Sequence, residues 1–453
     1  MTNQEVCMIG TASIKGRRAL PLVAFAAVAS LVTACTAGGA DGGEDSSGTT
    51  TITVMAGAQD LPDTMIADFE QKNPGIKVKH ILTDPTRLNT MLAAGQPPDI
   101  ASGPAVGSAN NNARGLATDL TPFLAKSTVL KEDDLQSVND SFRWDGKRSG
   151  AGPIYGIVKD WSQDATLWYN TALFDAAGVP HLSDTKAISY DDLLQIAKKL
   201  TVAKGGTTTV HGLGLEWAWS LYGPMSAMVM QQGGQLYNDD LTKIDLTTPQ
   251  ARRAFQWYVD FAKAGVGPTS LNPLADGSDF PTFSAGRMAI TQDGYWFGGN
   301  FTGADALKTV RMAPAPTMGD SRVNPTYGGQ GWWIPAKSKN KDAAWKLMEY
   351  YMAGPPAEAR ASSGWGLPSL KSLMTRLPQD KPWQKDAYAV AQNELQYAKP
   401  LPDSPYISMD ALNATLDKHL QSAIKGNATV DQATAAATKE INKALAQGKD
   451  QVG

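Results

Sequence analysis

The apolar positions of this chain change period several times, and each change marks an element. Thr51-Ile52-Thr53-Val54-Met55 alternates polar and apolar residues, the pattern of a half-buried strand, and runs into the turn Ala56-Gly57-Ala58-Gln59-Asp60. Met65, Ile66 and Phe69 then share one face of a helix that Asn73-Pro74-Gly75 ends. Ile76, Val78, His80 and Leu82 alternate again. Leu88, Met91 and Leu92 return to helical spacing before Gly95, and Pro97-Pro98-Asp99-Ile100 opens a third short strand. This rhythm predicts an α/β fold, a sheet layered with helices on both faces.

Further on, Pro153 to Val158 is an apolar run broken by one glycine and predicts a buried strand. Thr166 to Asn170 predicts another, rich in β-branched and aromatic residues. Leu173 to Gly178 makes one short helical turn. Ser189 is placed to cap a longer helix, with Asp192 three residues on and Tyr190, Leu193, Ala197 and Leu200 on one face. Thr248-Pro249 starts a helix with proline at its first position, where the missing N–H costs nothing. Its apolar face is Ala251, Ala254, Phe255, Tyr258, Phe261 and Ala262, and Gly265 ends it. Another helix carries Ala344, Trp345, Met348 and Tyr351. The tail holds two more, on Met409, Leu412, Leu416 and Leu420 and on Val430, Ile441 and Leu445.

The first residues read as an address. Lys15, Arg17 and Arg18 precede the apolar run Ala19 to Val32, which is shorter than the roughly 20 residues that a spanning helix needs. Val32-Thr33-Ala34-Cys35 resembles the bacterial lipobox. The expectation is a lipoprotein signal peptide over 1–34, cleavage before Cys35, and lipid on that cysteine. The only other cysteine is Cys7, so the mature fold has no disulfide and rests on its core. Residues 35–50 are mostly Gly, Ala, Ser, Thr, Asp and Glu and are expected to form a flexible tether. The remaining 400 or so residues are too many for one core and predict two domains. With 19% charged residues and a net charge of −3, the chain lacks the basic balance that nucleic acid would require.

Several phrases fall in a consistent order. They are NPGIKV at Asn73, AAGQPPDI at Ala93, WYN followed by LF, AG and Pro from Trp168 to Pro180, FSAGRMAITQDGYW from Phe283, SKNK with AW from Ser338, and GWGLP from Gly364. Together they resemble the extracellular sugar-binding proteins of ABC importers, the maltose-binding-protein-like family, across roughly Thr51 to Leu445. The resemblance implies a periplasmic-binding-protein type II-like fold, two α/β lobes with a ligand cleft between them and hinge crossings. It places lobe one at 51–166 and 307–350, and lobe two at 167–306 and 351–453. It implies no enzyme and no cofactor. The protein would capture a sugar or oligosaccharide and hand it to the transmembrane subunits of an ABC permease, as a monomer held to the outer face of the cell membrane by its lipid alone. Two positions depart from the family pattern. Ile157-Val158-Lys159 stands where a proline usually follows Tyr-Gly, and Tyr190 stands where a tryptophan usually follows the helix cap.

No catalytic constellation emerges from the residues themselves. His80, His181, His211 and His419 sit in unrelated elements without zinc-helix spacing. There is no Gly-Lys-Ser/Thr phosphate loop and no G-x-S-x-G elbow. Two carboxylates about 5 Å or about 6.5–9.5 Å apart would suffice for a glycoside hydrolase, so a secreted carbohydrate-active enzyme is the alternative, beside a binding protein for a non-sugar solute.

Aromatic residues beside polar and glycine residues carry the binding chemistry. A sugar ring offers an apolar C–H face, which flat aromatics cover, and a rim of hydroxyls, which Asp, Glu, Asn and Gln satisfy. Of the 12 tryptophans, Trp257 and Trp345 fall on apolar helix faces and read as core, whereas Trp217, Trp219, Trp296, Trp332 and Trp365 lie in irregular, polar surroundings. Asp99 and Ser102 are expected to end a lobe-one strand toward the cleft, and Gln59 and Asp60 to occupy the first strand-to-helix loop. Gly328 and Gly329 would let backbone amides approach a ligand. The resemblance adds Asp164 as a polar ligand group and pairs Asp293 with Trp296 against the sugar.

Overall fold

A computed structural model describes residues 48–215, 221–274, 278–301, 308–326 and 329–452. The signal segment and Cys35 lie outside the described residues, as do Trp217, Trp219 and Gly328. The alternation at the start of the chain becomes β1 (Thr50–Ala56), α1 (Asp63–Lys72), β2 (Ile76–Leu82), α2 (Pro85–Ala93), β3 (Ile100–Pro104) and α3 (Ser108–Ala113). β1 lies between β2 and β3 and is parallel to both, in unbroken register with β2 from Thr50 opposite Ile76 to Ala56 opposite Leu82. Parallel neighbours need a crossover, and α1 and α2 supply it.

Three strands from later in the chain complete this sheet. Gln330–Trp333 runs antiparallel to β3, with Trp332 opposite Ser102. Ile157–Trp161 pairs with Gln330–Trp333, and Leu367–Pro368 closes the edge. Ile52, Val54, Phe69, Ile100, Ile157 and Trp332 join Trp345, Met348 and Tyr351 of helix Lys341–Ala353 in one core. The apolar run at 153–158 is two strands and not one. Ser149–Ile154 ends in a hairpin with Arg143–Trp144, and Ile157 starts the main-sheet strand. Between them, a Cβ on Gly156 would lie 2.6 Å from the Phe142 ring, so only glycine lets the chain pass.

The second sheet has the order Gly214–Leu215, Ile290–Gln292, Leu167–Asn170, Val310–Ala313. Its helices form as the caps predict. Ser189 accepts the amide of Asp192 at 3.0 Å ahead of helix Tyr190–Leu200, and Thr248 accepts that of Ala251 at 3.2 Å ahead of helix Pro249–Ala264. Helices Met409–Ile424 and Val430–Val452 pack into the same core through Leu412, Leu416, Ile441 and Leu445.

The chain therefore builds two α/β lobes and passes between their sheets three times: after Trp161, after Ala313 and after Pro368. Two of the expected boundaries move. Val310–Ala313 pairs with Leu167–Asn170, so the return to lobe one comes after 313 and not at 307. Helix Pro355–Ser363 and strand Leu367–Pro368 stay with the first sheet, because Leu367 pairs with Trp161, so lobe two does not resume at 351. No helix among the described residues is long and apolar enough to cross a membrane.

Candidate functional site

The ends of the first sheet set the site. β1, β3 and Ile157–Trp161 end on the same side, where the antiparallel Gln330–Trp333 begins. A cavity of about 730 Å³ opens there, and the ends of these strands contribute Gly57, Asp60, Ser102, Lys159, Gln330 and Trp333. One wall is apolar. No residue of α2 is buried, and its Leu88 and Leu92 face the cavity instead of a core. The opposite wall carries Asn110, Asn111 and Arg114, with Met409 and Asp410 from the start of a lobe-two helix.

The floor of the cavity is charged. The Lys159 ammonium lies 2.6 Å from Asp60 Oδ1 and 3.2 Å from Asp160 Oδ2, and all but 8% of the residue is buried. Burial alone would favour the neutral amine, but the carboxylates of Asp160 and Asp60 outweigh it and hold the proton above the usual lysine range. Such a triad holds Asp60 at a fixed place with one oxygen turned toward the Gly57 amide, 3.3 Å away.

Outside the residues that line this cavity, aromatic side chains from the two lobes meet. Trp296 follows Ile290–Gln292, and Trp365 precedes Leu367–Pro368 of the first sheet, with ring centroids 5.9 Å apart. Both are half-buried. Trp161, also half-buried, ends the strand that pairs with Leu367 and donates its Nε1 hydrogen to the Pro368 carbonyl. These rings sit where the two lobes meet.

Other expected ligand residues sit elsewhere. Trp332 is fully buried and stacked on Tyr351, centroids 3.8 Å apart, because strand alternation turns it to the helix side and its neighbour Trp333 to the cavity. Asp99 precedes β3 and sits at the end away from the cavity. Its carboxylate accepts from the Thr53 amide at 2.8 Å and from Ser338 Oγ at 2.7 Å, tying β1 to the turn before helix Lys341–Ala353. Asp293 is fully buried, its Oδ2 3.2 Å from Thr291 Oγ1, a hydroxyl that also reaches Asp279 Oδ2 at 2.8 Å. Asp164 is buried in the first crossing, its amide 2.9 Å from the Pro325 carbonyl.

Of the remaining candidates, Asp60 and Ser102 line the cavity, and Gln59 is exposed on the turn before Asp60. Gly329 has φ of 74°, and a Cβ there would fall 2.3 Å from the Asp160 carbonyl, so close strand packing already demands glycine. Lys159, Trp333, Arg114 and Met409 were not anticipated. Period-two alternation applied to Gln330–Trp333 would have found Trp333. Lys159 was visible as a departure from a family proline, though not as a cavity group.

The comparisons with known proteins agree with this geometry. The model of the bacterial extracellular solute-binding protein family matches residues 64–391. No curated protein matches the chain. Among solved structures, an ABC substrate-binding protein of Listeria monocytogenes in complex with cycloalternan superposes with a TM-score of 0.75 at 23% identity, covering 88% of this chain and 99% of its own. A solute-binding protein of Thermotoga lettingae bound with alpha-D-tagatose gives 0.72 at 23% identity, covering 87% and 99%. Maltose-bound MalE3 of T. maritima gives 0.70 at 20% identity, with the same coverage. With two lobes, three crossings and a cavity at the strand ends, this chain belongs to the bacterial extracellular solute-binding protein family.

Proposed function

We propose that the protein captures a sugar or oligosaccharide outside the cytoplasmic membrane and presents it to an ABC permease. The observation that carries this reading is the cavity itself. It sets the aromatic Trp333 and the apolar α2 wall against Asp60, Ser102, Asn111, Arg114 and Gln330, the mixture that a pyranose face and its hydroxyl rim call for. The solved relatives with cycloalternan, tagatose and maltose bound support the same class of ligand. Trp296 and Trp365, which meet at the lobe boundary outside the cavity lining, remain candidates for the same cleft, with Trp217, Trp219 and Gly328. A ligand touching both lobes stabilises the arrangement in which they meet, and a permease can read that arrangement. The chain would act as a monomer, anchored through a lipid on Cys35 and reaching its permease on the tether. No cofactor and no catalytic residue is assigned.

A panel of mono- and oligosaccharides in a thermal-shift assay tests the reading. A true ligand at 100 times its dissociation constant adds about 2.7 kcal/mol to stability. A panel without any shift, alongside a response to a non-sugar solute, would overturn it. Shortened oligosaccharides after long incubation would instead favour a secreted carbohydrate-active enzyme.

A further inference from the structure

Asp403 lies in segment 401–408, which joins strand Ala398–Pro400 to the lobe-two helix Met409–Ile424. Its Oδ2 accepts hydrogen bonds from the amides of Gly107 at 2.8 Å and Ala109 at 3.0 Å, in the lobe-one loop that leads from β3 into α3. The Asn110 side-chain amide adds a third bond to the Pro405 carbonyl, at 2.8 Å. On the other side, Leu401, Ile407 and Leu412 are buried in the lobe-two core, and Val106 packs with them. Both halves of this contact border the cavity, Gly107 and Asn110 from lobe one and Ser408 and Met409 from lobe two. The carboxyl group therefore ties together two cavity walls that belong to different lobes.

The surroundings of Asp403 hold little that favours its charge. Oδ1 is buried with no hydrogen-bond partner among the described residues, and no cationic side chain pairs with the group there. From the lobe-two side the titratable neighbours are two tyrosines. Tyr222 donates its hydroxyl to the Pro402 carbonyl at 2.5 Å, and Tyr237 is held neutral by burial and by the field of Asp403. From lobe one come only the two amides and Asn110. Arg114 and Asp410 are charged groups on the cavity wall beyond. Burial penalises the carboxylate more than the two amides stabilise it, and the pKa is pushed up to about 7.

We propose that Asp403 is a positioning residue that latches the two lobes across the cavity, and that protonation closes this latch. The inference rests on the two-lobed, solute-binding reading of the fold. Parting the lobes brings water to the carboxyl group and returns it toward the ordinary value of 3.8. The sign follows. The neutral acid favours the joined lobes, so closure is strongest below the ordinary value of 3.8, weakens as pH rises from there to about 7, and changes no further above it. Coupling to one proton limits the change in the opening equilibrium to about tenfold per pH unit.

Small-angle X-ray scattering of the solute-free protein between pH 5.5 and pH 8.5 tests the latch without any ligand, so its outcome is independent of which solute is bound. The radius of gyration should rise with pH up to about 7 and level off above it, and Asp403→Asn, which mimics the neutral acid, should stay at the small value throughout. A wild-type radius that does not change with pH overturns the proposal, as does a change that survives in Asp403→Asn. If that variant does not fold, hydrogen exchange at the Gly107 and Ala109 amides of the wild type decides. Their protection should fall as pH rises toward 7 by more than the base-catalysed intrinsic rate explains, and protection that only follows the intrinsic rate overturns the latch.

Discussion

Trp296 and Trp365 come from different lobes, yet their rings lie 5.9 Å apart at 52°. Both rings remain half-buried, although Trp296 also rests against the core around Phe297. Stacking on such a ring contributes about 0.5–1.5 kcal/mol beyond the area it covers. If the pair borders the ligand, Trp296→Ala and Trp365→Ala should each weaken binding of the cognate sugar about tenfold by calorimetry, with the larger loss of melting temperature in Trp296→Ala. In a double-mutant cycle the two changes should couple by more than about 0.5 kcal/mol, as contacting residues do. Strict additivity would remove the pair from the site.

The neighbouring tryptophans of lobe one make the opposite comparison. Trp332→Ala empties a fully buried site against Tyr351 and should cost about 3–5 kcal/mol in urea unfolding. Trp333 is also buried, but its ring lines the cavity, so Trp333→Ala should cost affinity as well as stability, whereas folded Trp332→Ala should keep its affinity. Unchanged sugar affinity in Trp333→Ala would leave that ring a core residue alone.

Asp293 is expected to matter for folding and not for the ligand. The sequence pairs it with Trp296 on one loop, but the residue is fully buried, its carboxylate sharing the Thr291 hydroxyl with Asp279. Removing a partner from a buried polar group costs about 1–3 kcal/mol, and because Thr291 keeps Asp279 the low end applies. Asp293→Ala should show that loss in unfolding and keep its sugar affinity. A tenfold loss of affinity at unchanged stability would return Asp293 to the cleft.

These contrasts show what the sequence makes legible. Periodicity, caps and turn residues mark β1 to β3, helix Tyr190–Leu200 and helix Pro249–Ala264 within a residue or two, because those signals are local. The ordered motifs placed the fold. Sheet membership is not local. Nothing near Val310–Ala313 or Leu367–Pro368 states which sheet each joins, so both boundaries moved. The site was partly visible for the same reason. Asp60 and Ser102 sit at strand ends that the βα rhythm marks, whereas Asp403 reaches Gly107 across 296 residues, a pairing that only the folded chain creates.

Localisation has its own test. If Cys35 carries lipid, the protein should fractionate with membranes and Cys35→Ala should release it in soluble form. Release of the wild type by cleavage at another site, or retention of the variant, would refute the anchor.

The floor triad gives the last prediction. Lys159 lies between Asp60 and Asp160, and removing one partner of a buried charged group costs about 3–5 kcal/mol, because the remaining charges lose their compensation. Lys159→Met should be destabilised by that order, and its sugar affinity should fall as well, since Asp60 loses the group that fixes it in the cavity. Asp60→Asn should lose affinity with a smaller loss of stability, because Lys159 keeps Asp160. The pH dependence separates this from a simple packing defect. The folded-state pKa of Lys159 is raised, so its stabilising contribution is fully present below the unfolded value of 10.5 and is lost as pH climbs above it. In urea unfolding between pH 7 and pH 11.5, the deficit of Lys159→Met should stay constant up to about pH 10 and then narrow as the unfolded wild type sheds its proton. A deficit that stays constant through pH 11.5 would mean that the aliphatic stem, and not the charge, holds this floor together.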